Sequence, residues 1–278
     1  MLMGPPTVWL VVLFLIPLGA MIYMSFQAGS FGADAQRFSL ESYQRFLVEP
    51  ALQRLLLSSV WVALVVSVLS VALAYPIAYY LCFEAGPLKY TLLSVIIVPA
   101  WTSFLLRVLA WKLILGSDGV LSSFLMALGV IDQPAPFLLY SKGAVIVTLV
   151  YIWIPFVALP IFVALDRIDP KLPEAAADLG ATPFETFLRV ILPLSLPGVL
   201  AGFVLVFIPT IGEYVTPALV GGTSGVLYGN LIWDQFLRAL NWPMGAVMSV
   251  IMLLAVLLPF ILFSRAVRYT QLVDLYDA

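Results

Sequence analysis

The 278-residue chain is 63% apolar and only 10% charged, with a mean hydropathy of +1.10, a balance that belongs in lipid rather than in water. Its formal charge of −2 offers no basic surface to a nucleic acid. There is no histidine and one cysteine, Cys82, which excludes a disulfide framework, a zinc site and a catalytic Cys–His pair; no G-x-x-x-x-G-K-[ST] phosphate loop occurs either, so any ATP that drives this protein is hydrolysed by another chain.

About 20 apolar residues cross the hydrocarbon core, and charge-poor windows place six such spans. The first, residues 6–26, is too long for the core of a signal peptide, lacks a basic start, and carries Trp9 and Tyr23 near its ends as interfacial anchors. A polar segment, 27–54, reads as an ordered external loop. The second span, 55–83, is long enough to tilt or to extend beyond the bilayer, and ends at Cys82, a small buried hydrophobe by type. Gly86-Pro87 breaks the helix in a tight turn. The third span is 90–106, with Arg107 near its far end. The connection that follows contains 119–131, apolar but too short to cross, and is expected to pack as a short helix at the outer face. The fourth span is 143–165. After a polar segment comes the fifth, 196–220, interrupted by Pro209, Gly212 and Pro217. Gly221 to Gly225 is a flexible break, and 227–242 is a second external piece. The sixth span, 245–264, leads to a tail that opens with Arg265 and Arg268. The expected fold is therefore an all-α membrane protein, one transmembrane domain over residues 1–278 with both ends on one side. No internal repeat is visible, which disfavours inverted-repeat secondary transporters.

The segment 166–195 is the one strongly amphipathic stretch between spans. Asp169 is placed to cap a helix, and Pro170 fits the first helical position. Leu172, Ala175, Ala176 and Leu179 then repeat at i, i+3, i+4 and i+7, giving one apolar stripe. Gly180 is a natural stop. Thr182, Pro183 and Glu185 spell a second start, with Glu185 three after the cap to complete a capping box. Phe184, Phe187, Leu188 and Ile191 continue the stripe, and Pro193 and Pro197 are expected to end it. Two readings fit such a pair of helices: a docking site for a partner protein, or a pair lying in the bilayer interface.

Glu174-Ala175-Ala176, then Gly180, then Val190-Ile191-Leu192-Pro193 resembles the E-A-A, three residues, G, nine residues, I-x-L-P pattern of ABC importer permeases, departing from it only by Val190 in the isoleucine place. The resemblance extends over roughly residues 55–265 to spermidine/putrescine permeases. It includes Pro99-Ala100-Trp101, Tyr151-Ile152-Trp153-Ile154-Pro155, Ala164 to Pro170, and Leu205 to Pro209 followed by Gly212-Glu213-Tyr214. The first 50 residues carry little of it. It implies a type I importer permease in the bacterial inner membrane, passing through it several times. The helix pair would be a cytoplasmic coupling loop, with Glu174, Ala175, Ala176, Asp178, Gly180, Ala181, Phe184 and Phe187 meeting an ATPase dimer. It also implies a second homologous permease, a periplasmic or lipid-anchored binding protein, and ATP-Mg bound by the ATPase, with no cofactor on this chain. If the coupling loop is inside, six Lys/Arg face inward and seven outward, so orientation comes from the resemblance and not from the charge rule. Polyamine is the nearest implied cargo; relatives with the same core carry opines, amino-acid derivatives, ferric iron or sulfate-like anions.

Glu213 follows 23 uncharged residues and lies between Gly212 and Tyr214. A carboxylate at membrane depth costs roughly 3 kcal/mol unless it meets a cavity or a partner. It is read either as an acid in the substrate path, attracting a cation, or as a structural acid paired with a base such as Arg107 or sitting at the outer interface. Arg107 in turn lines the path or snorkels. Trp101, with Trp111, Tyr151 and Trp153, can stack on a cation or serve packing and the interfacial belt. Tyr214 and Asp234 complete the expected path, with a binding protein or solvent as the other readings for Asp234. An ion-coupled secondary transporter and a membrane-embedded enzyme remain as other classes. The latter lacks a catalytic constellation.

Overall fold

The computed structural model describes residues 4–133 and 140–257. In chain order the helices are α1 (Gly4–Ser25), α2 (Glu41–Val48), α3 (Pro50–Phe83), α4 (Lys89–Ile97), α5 (Phe104–Leu115), α6 (Val120–Ala127), α7 (Lys142–Asp166), α8 (Lys171–Asp178), α9 (Pro183–Thr186), α10 (Leu192–Ile211), α11 (Tyr228–Leu237) and α12 (Trp242–Leu257). Among the described residues there is no strand beyond a lone antiparallel bridge between Gln27 and Phe38. Helices α1, α3, α7 and the continuous run Pro183–Ile211 are each long and apolar enough to cross a membrane. The remainder of the expected sixth span, with Pro259, Arg265 and Arg268, lies outside the described residues.

Two compact units divide the chain, one of Met1–Leu57 with Tyr228–Ala278 and the other of Ser58–Leu227. In the first, the polar loop after α1 is ordered by ring contacts: Phe26 stacks on Phe38 at 5.4 Å and leans on Tyr43 at 5.3 Å, while the Tyr43 hydroxyl meets that of Ser25 at 2.8 Å. The Ser30 hydroxyl accepts the Trp242 N–H at 2.8 Å. Phe46, Leu52, Tyr228, Met244, Val247 and Met248 form its core.

The second unit is built on α7 and α10, packed where Gly198 and Gly202 remove bulk. A Cβ on Gly198 would stand 2.5 Å from both the Pro160 carbonyl and the Ala164 methyl, so no other residue fits this crossing. Small residues four apart allow such approach in a bilayer, where backbone contact replaces the hydrophobic drive. Lys89 Nζ reaches Asp166 at 2.7 Å, tying the first turn of α4 to the last residue of α7. That hydrogen bond holds the Lys89 ammonium above its ordinary pKa.

Three boundaries differ from the sequence reading. Helix α3 begins at Pro50, not at residue 55, because proline suits a helix start. The third span is not one rod through residue 106. Pro99 sits in a 3-10 turn, Val98–Trp101, and the Thr102 hydroxyl and N–H both turn back to the Pro99 carbonyl, at 2.8 and 3.1 Å. The chain restarts at Phe104 after a bend of 90°. Nor do Pro193 and Pro197 end the second short helix; α9 runs through a π-turn, Phe187–Ile191, into α10. Leu192 N–H reaches five residues back to the Phe187 carbonyl, and this wider turn shifts the carbonyls ahead of Pro193, where a regular ladder would meet a missing donor.

Candidate functional site

The segment between α7 and α10 folds as its caps dictate. Asp169 takes the Lys171 N–H at 3.0 Å, while Pro170 itself is the N-cap of α8. Gly180 stands at φ +86°, the left-handed conformation that ends a helix cheaply only as glycine. Thr182 and Glu185 make the full capping box: Thr182 Oγ1 accepts the Glu185 N–H at 3.3 Å, and Glu185 Oε2 accepts the Thr182 N–H at 2.9 Å. The Thr182 backbone bond, then its hydroxyl, hold the Glu185 carboxyl below the usual carboxylate range.

The stripe is uncovered along α8 and at Phe184, whereas its last expected member, Ile191, is 3% exposed in the core of the second unit. No residue of α8 is buried. Leu172 is 46% exposed, Leu179 89% and Phe184 68%, and Glu174, Ala175, Asp178 and Gly180 are exposed beside them. Ala176 and Ala181 are half-buried. Leu179, not among the residues singled out for docking, is the most exposed apolar side chain of the pair; its place on the stripe was the available signal. Phe187 departs from the expected face. Its ring turns inward against α3, edge-on to Tyr75 at 5.8 Å and to Tyr79 at 6.0 Å.

The residues expected along a substrate path are not gathered in one place. Glu213 occupies the break after α10, and its Oε1 accepts the N–H groups of Val215 and Thr216 at 2.9 and 3.0 Å, capping the turn that follows. It does not pair with Arg107, whose Nη1 donates to the Ile152 carbonyl at 3.2 Å and whose guanidinium lies 5.9 Å from the Phe156 ring centre. Asp234 pairs with Arg238, one turn on, at 3.3 Å on an exposed surface. Tyr214 is exposed. Trp111 packs edge-on to Tyr151 and Trp153 to Phe156, ring contacts within the helices' own packing. Trp101, 87% exposed, lines a groove of about 690 Å³ with Pro155, Leu159, Pro160, Pro197 and Arg167. Sequence reasoning missed this groove, and the prolines that shape it were its only signal. Among the described residues no group of His, Cys, Asp or Glu is placed to hold a metal.

A family model described as binding-protein-dependent transport system inner membrane component matches residues 1–271. The chain is 37% identical over 261 residues to the spermidine/putrescine transport system permease protein PotB of Escherichia coli (strain K12), covering 94% of each. It is 34% identical over 245 residues to the inner membrane ABC transporter permease protein YdcU of the same strain, covering 84% of this chain and 76% of that one. In fold it is similar to a chain of a bacterial alginate ABC transporter solved in complex with an alginate pentasaccharide-bound periplasmic protein. The TM-score is 0.69 at 17% identity, over 92% of this chain and 89% of the other.

Proposed function

We propose, from the premise that the chain belongs to the family of binding-protein-dependent transport system inner membrane components, that it carries a polyamine inward when an ATPase dimer docks on α8 and α9. The chain is a multi-pass inner-membrane permease subunit of an ABC importer and is not itself an enzyme; hydrolysis lies on a partner chain. The observation that carries the docking assignment is an amphipathic helix with none of its residues buried, on a membrane protein whose two units each have a core that α8 does not enter. An exposed stripe of this kind, rimmed by Glu174 and Asp178, has the form of a helix laid into a partner's groove.

A second homologous permease and a periplasmic or lipid-anchored binding protein complete the machine in this reading, with ATP-Mg on the ATPase and no cofactor here. Spermidine or putrescine as cargo is supported by the relative at 37% identity and not by Glu213, whose carboxylate is engaged by two backbone donors. Another solute is the second reading, favoured by the 28% identity over 224 residues to a protein named for another cargo, the molybdenum transport system permease protein ModB of Mycobacterium bovis.

The test is purification in mild detergent after expression with the neighbouring genes, followed by ATPase assay with binding protein and candidate solutes. Co-purification of an ATPase and a second permease, with hydrolysis raised by spermidine or putrescine, is the expected result. Stimulation only by another solute overturns the cargo. A chain that purifies alone overturns the docking site.

A further inference from the structure

We infer that Phe187 is a positioning residue that passes movement of the docked helix pair into α3, and not a contact with the ATPase; this rests on α8 and α9 being the docking site. Short helix α9 is anchored on one side only. Its outward residue Phe184 is exposed, whereas Phe187 sits in an aromatic clasp of Tyr75 and Tyr79, with Phe83 packed on Tyr79 at 4.8 Å. Both interplanar angles at Phe187 are steep, 86° and 75°, the edge-to-face arrangement that aromatic quadrupoles prefer.

A second contact follows on the same side. Ser195 is fully buried, and its hydroxyl meets the Tyr75 hydroxyl at 2.8 Å. Since the Ser195 Oγ also donates to the Leu192 carbonyl at 3.0 Å, Tyr75 is the donor of the pair. Positions 187 and 195 are eight apart, which in a regular α-helix puts them about 80° from each other. The π-turn at Phe187–Ile191 inserts one residue, so the spacing behaves as seven and both side chains come to face α3. The turn that lets the helix pass Pro193 therefore also sets the ring into its clasp. The helix is continuous from Pro183 to Ile211 and is held to α3 at two successive points, so a movement of α9 by the ATPase is passed to α3 through them. Isolated π-turns often mark functional positions, and here one defines which side chains grip.

The test compares Phe187→Ala with Phe184→Ala in the complex purified with its ATPase and second permease, reconstituted in vesicles with the binding protein. Two quantities are read: the ATPase retained on purification, and solute moved per ATP hydrolysed. Phe184→Ala is expected to lose bound ATPase. Phe187→Ala is expected to retain it and to move about fivefold less solute per ATP, with Phe187→Tyr restoring the ratio, since edge-to-face packing needs a ring of this size. Tyr75→Phe keeps the ring and removes only the hydroxyl, so it tests the route in a protein whose packing is intact; a fall of about twofold is expected. If Phe187→Ala sheds the ATPase as Phe184→Ala does, Phe187 is a docking contact and the inference fails while the importer stands. An unchanged transport ratio in both Phe187→Ala and Tyr75→Phe also overturns it. If the unmodified chain captures no ATPase, the docking assignment itself has failed.

Discussion

Helices α2 and α8 are each eight residues long, each strongly amphipathic, and each lies outside the long apolar helices. Their fates differ. Helix α2 sinks Phe46 to 6% exposure in a core with Leu52, Tyr228 and Met244, although Leu47 and Val48 stay exposed. Helix α8 has no buried residue. Periodicity alone does not separate the two, because it reports a stripe and not what covers it. What separates them is whether the same chain supplies the cover. A stripe that its own protein leaves bare is one that a second protein, or lipid, must meet.

The largest effect expected from this contrast is on partner capture. Replacing Leu179 and Phe184 together by Asp puts two charges where the exposed stripe would enter a partner's groove. Interface anchors of this type cost 2 kcal/mol or more when lost, so ATPase capture should fall by roughly 30-fold or more, measured by affinity titration of the purified complex. Glu174→Arg should act in the same direction, lowering transport while insertion in the membrane stays normal. Normal uptake by a correctly assembled double variant would show that the stripe covers itself in lipid instead.

The converse substitution separates the helices by stability. Phe46→Ala opens a hole in a packed core and should cost about 3 kcal/mol, visible as a lowered Tm in detergent. Leu172→Ala on α8 truncates an exposed side chain and should change stability by less than about 0.5 kcal/mol. Equal losses in the two variants would mean that α8 is packed after all.

Much of the helix pair was legible in the sequence because its signals are local. A Thr-Pro-x-Glu cap and a glycine at a left-handed stop act within one turn, and both are present where the letters put them. The bend at Trp101 is local too, marked by Pro99 and by Thr102-Ser103, but it lies inside a charge-free run whose length reads as one span. Pro193 misled for a different reason: proline stops a regular helix, and only the π-turn before it lets this one continue. The same turn took Phe187 out of the stripe in which a period of 3.6 had placed it. Glu213 was read through its charge, whereas its carboxylate serves the backbone two and three residues on. The Tyr75–Ser195 bond joins residues 120 apart in sequence, and no local pattern announces it.

The smallest expected effect concerns the cap that starts α9. Glu185 has its carboxyl pKa lowered from an ordinary value of 4.5 by the Thr182 N–H and hydroxyl. A carboxyl whose folded pKa lies below its unfolded one adds stability that is fully present above the unfolded value and is lost as pH falls through the folded value. The α9 start should therefore hold from pH 7 down to about pH 5 and loosen below about 4.5. Amide-exchange protection at Thr182 and Glu185, each normalised to the intrinsic rate at its pH, reads this directly. Glu185→Gln keeps an acceptor without a titrating charge, so its protection should be lower at pH 7 and flat across the same range. A wild-type profile that stays flat to pH 3 would mean that the box holds by geometry alone. In that case the entry to the docking surface would owe nothing to its charge, and the difference between a covered and an uncovered helix would rest wholly on apolar contact.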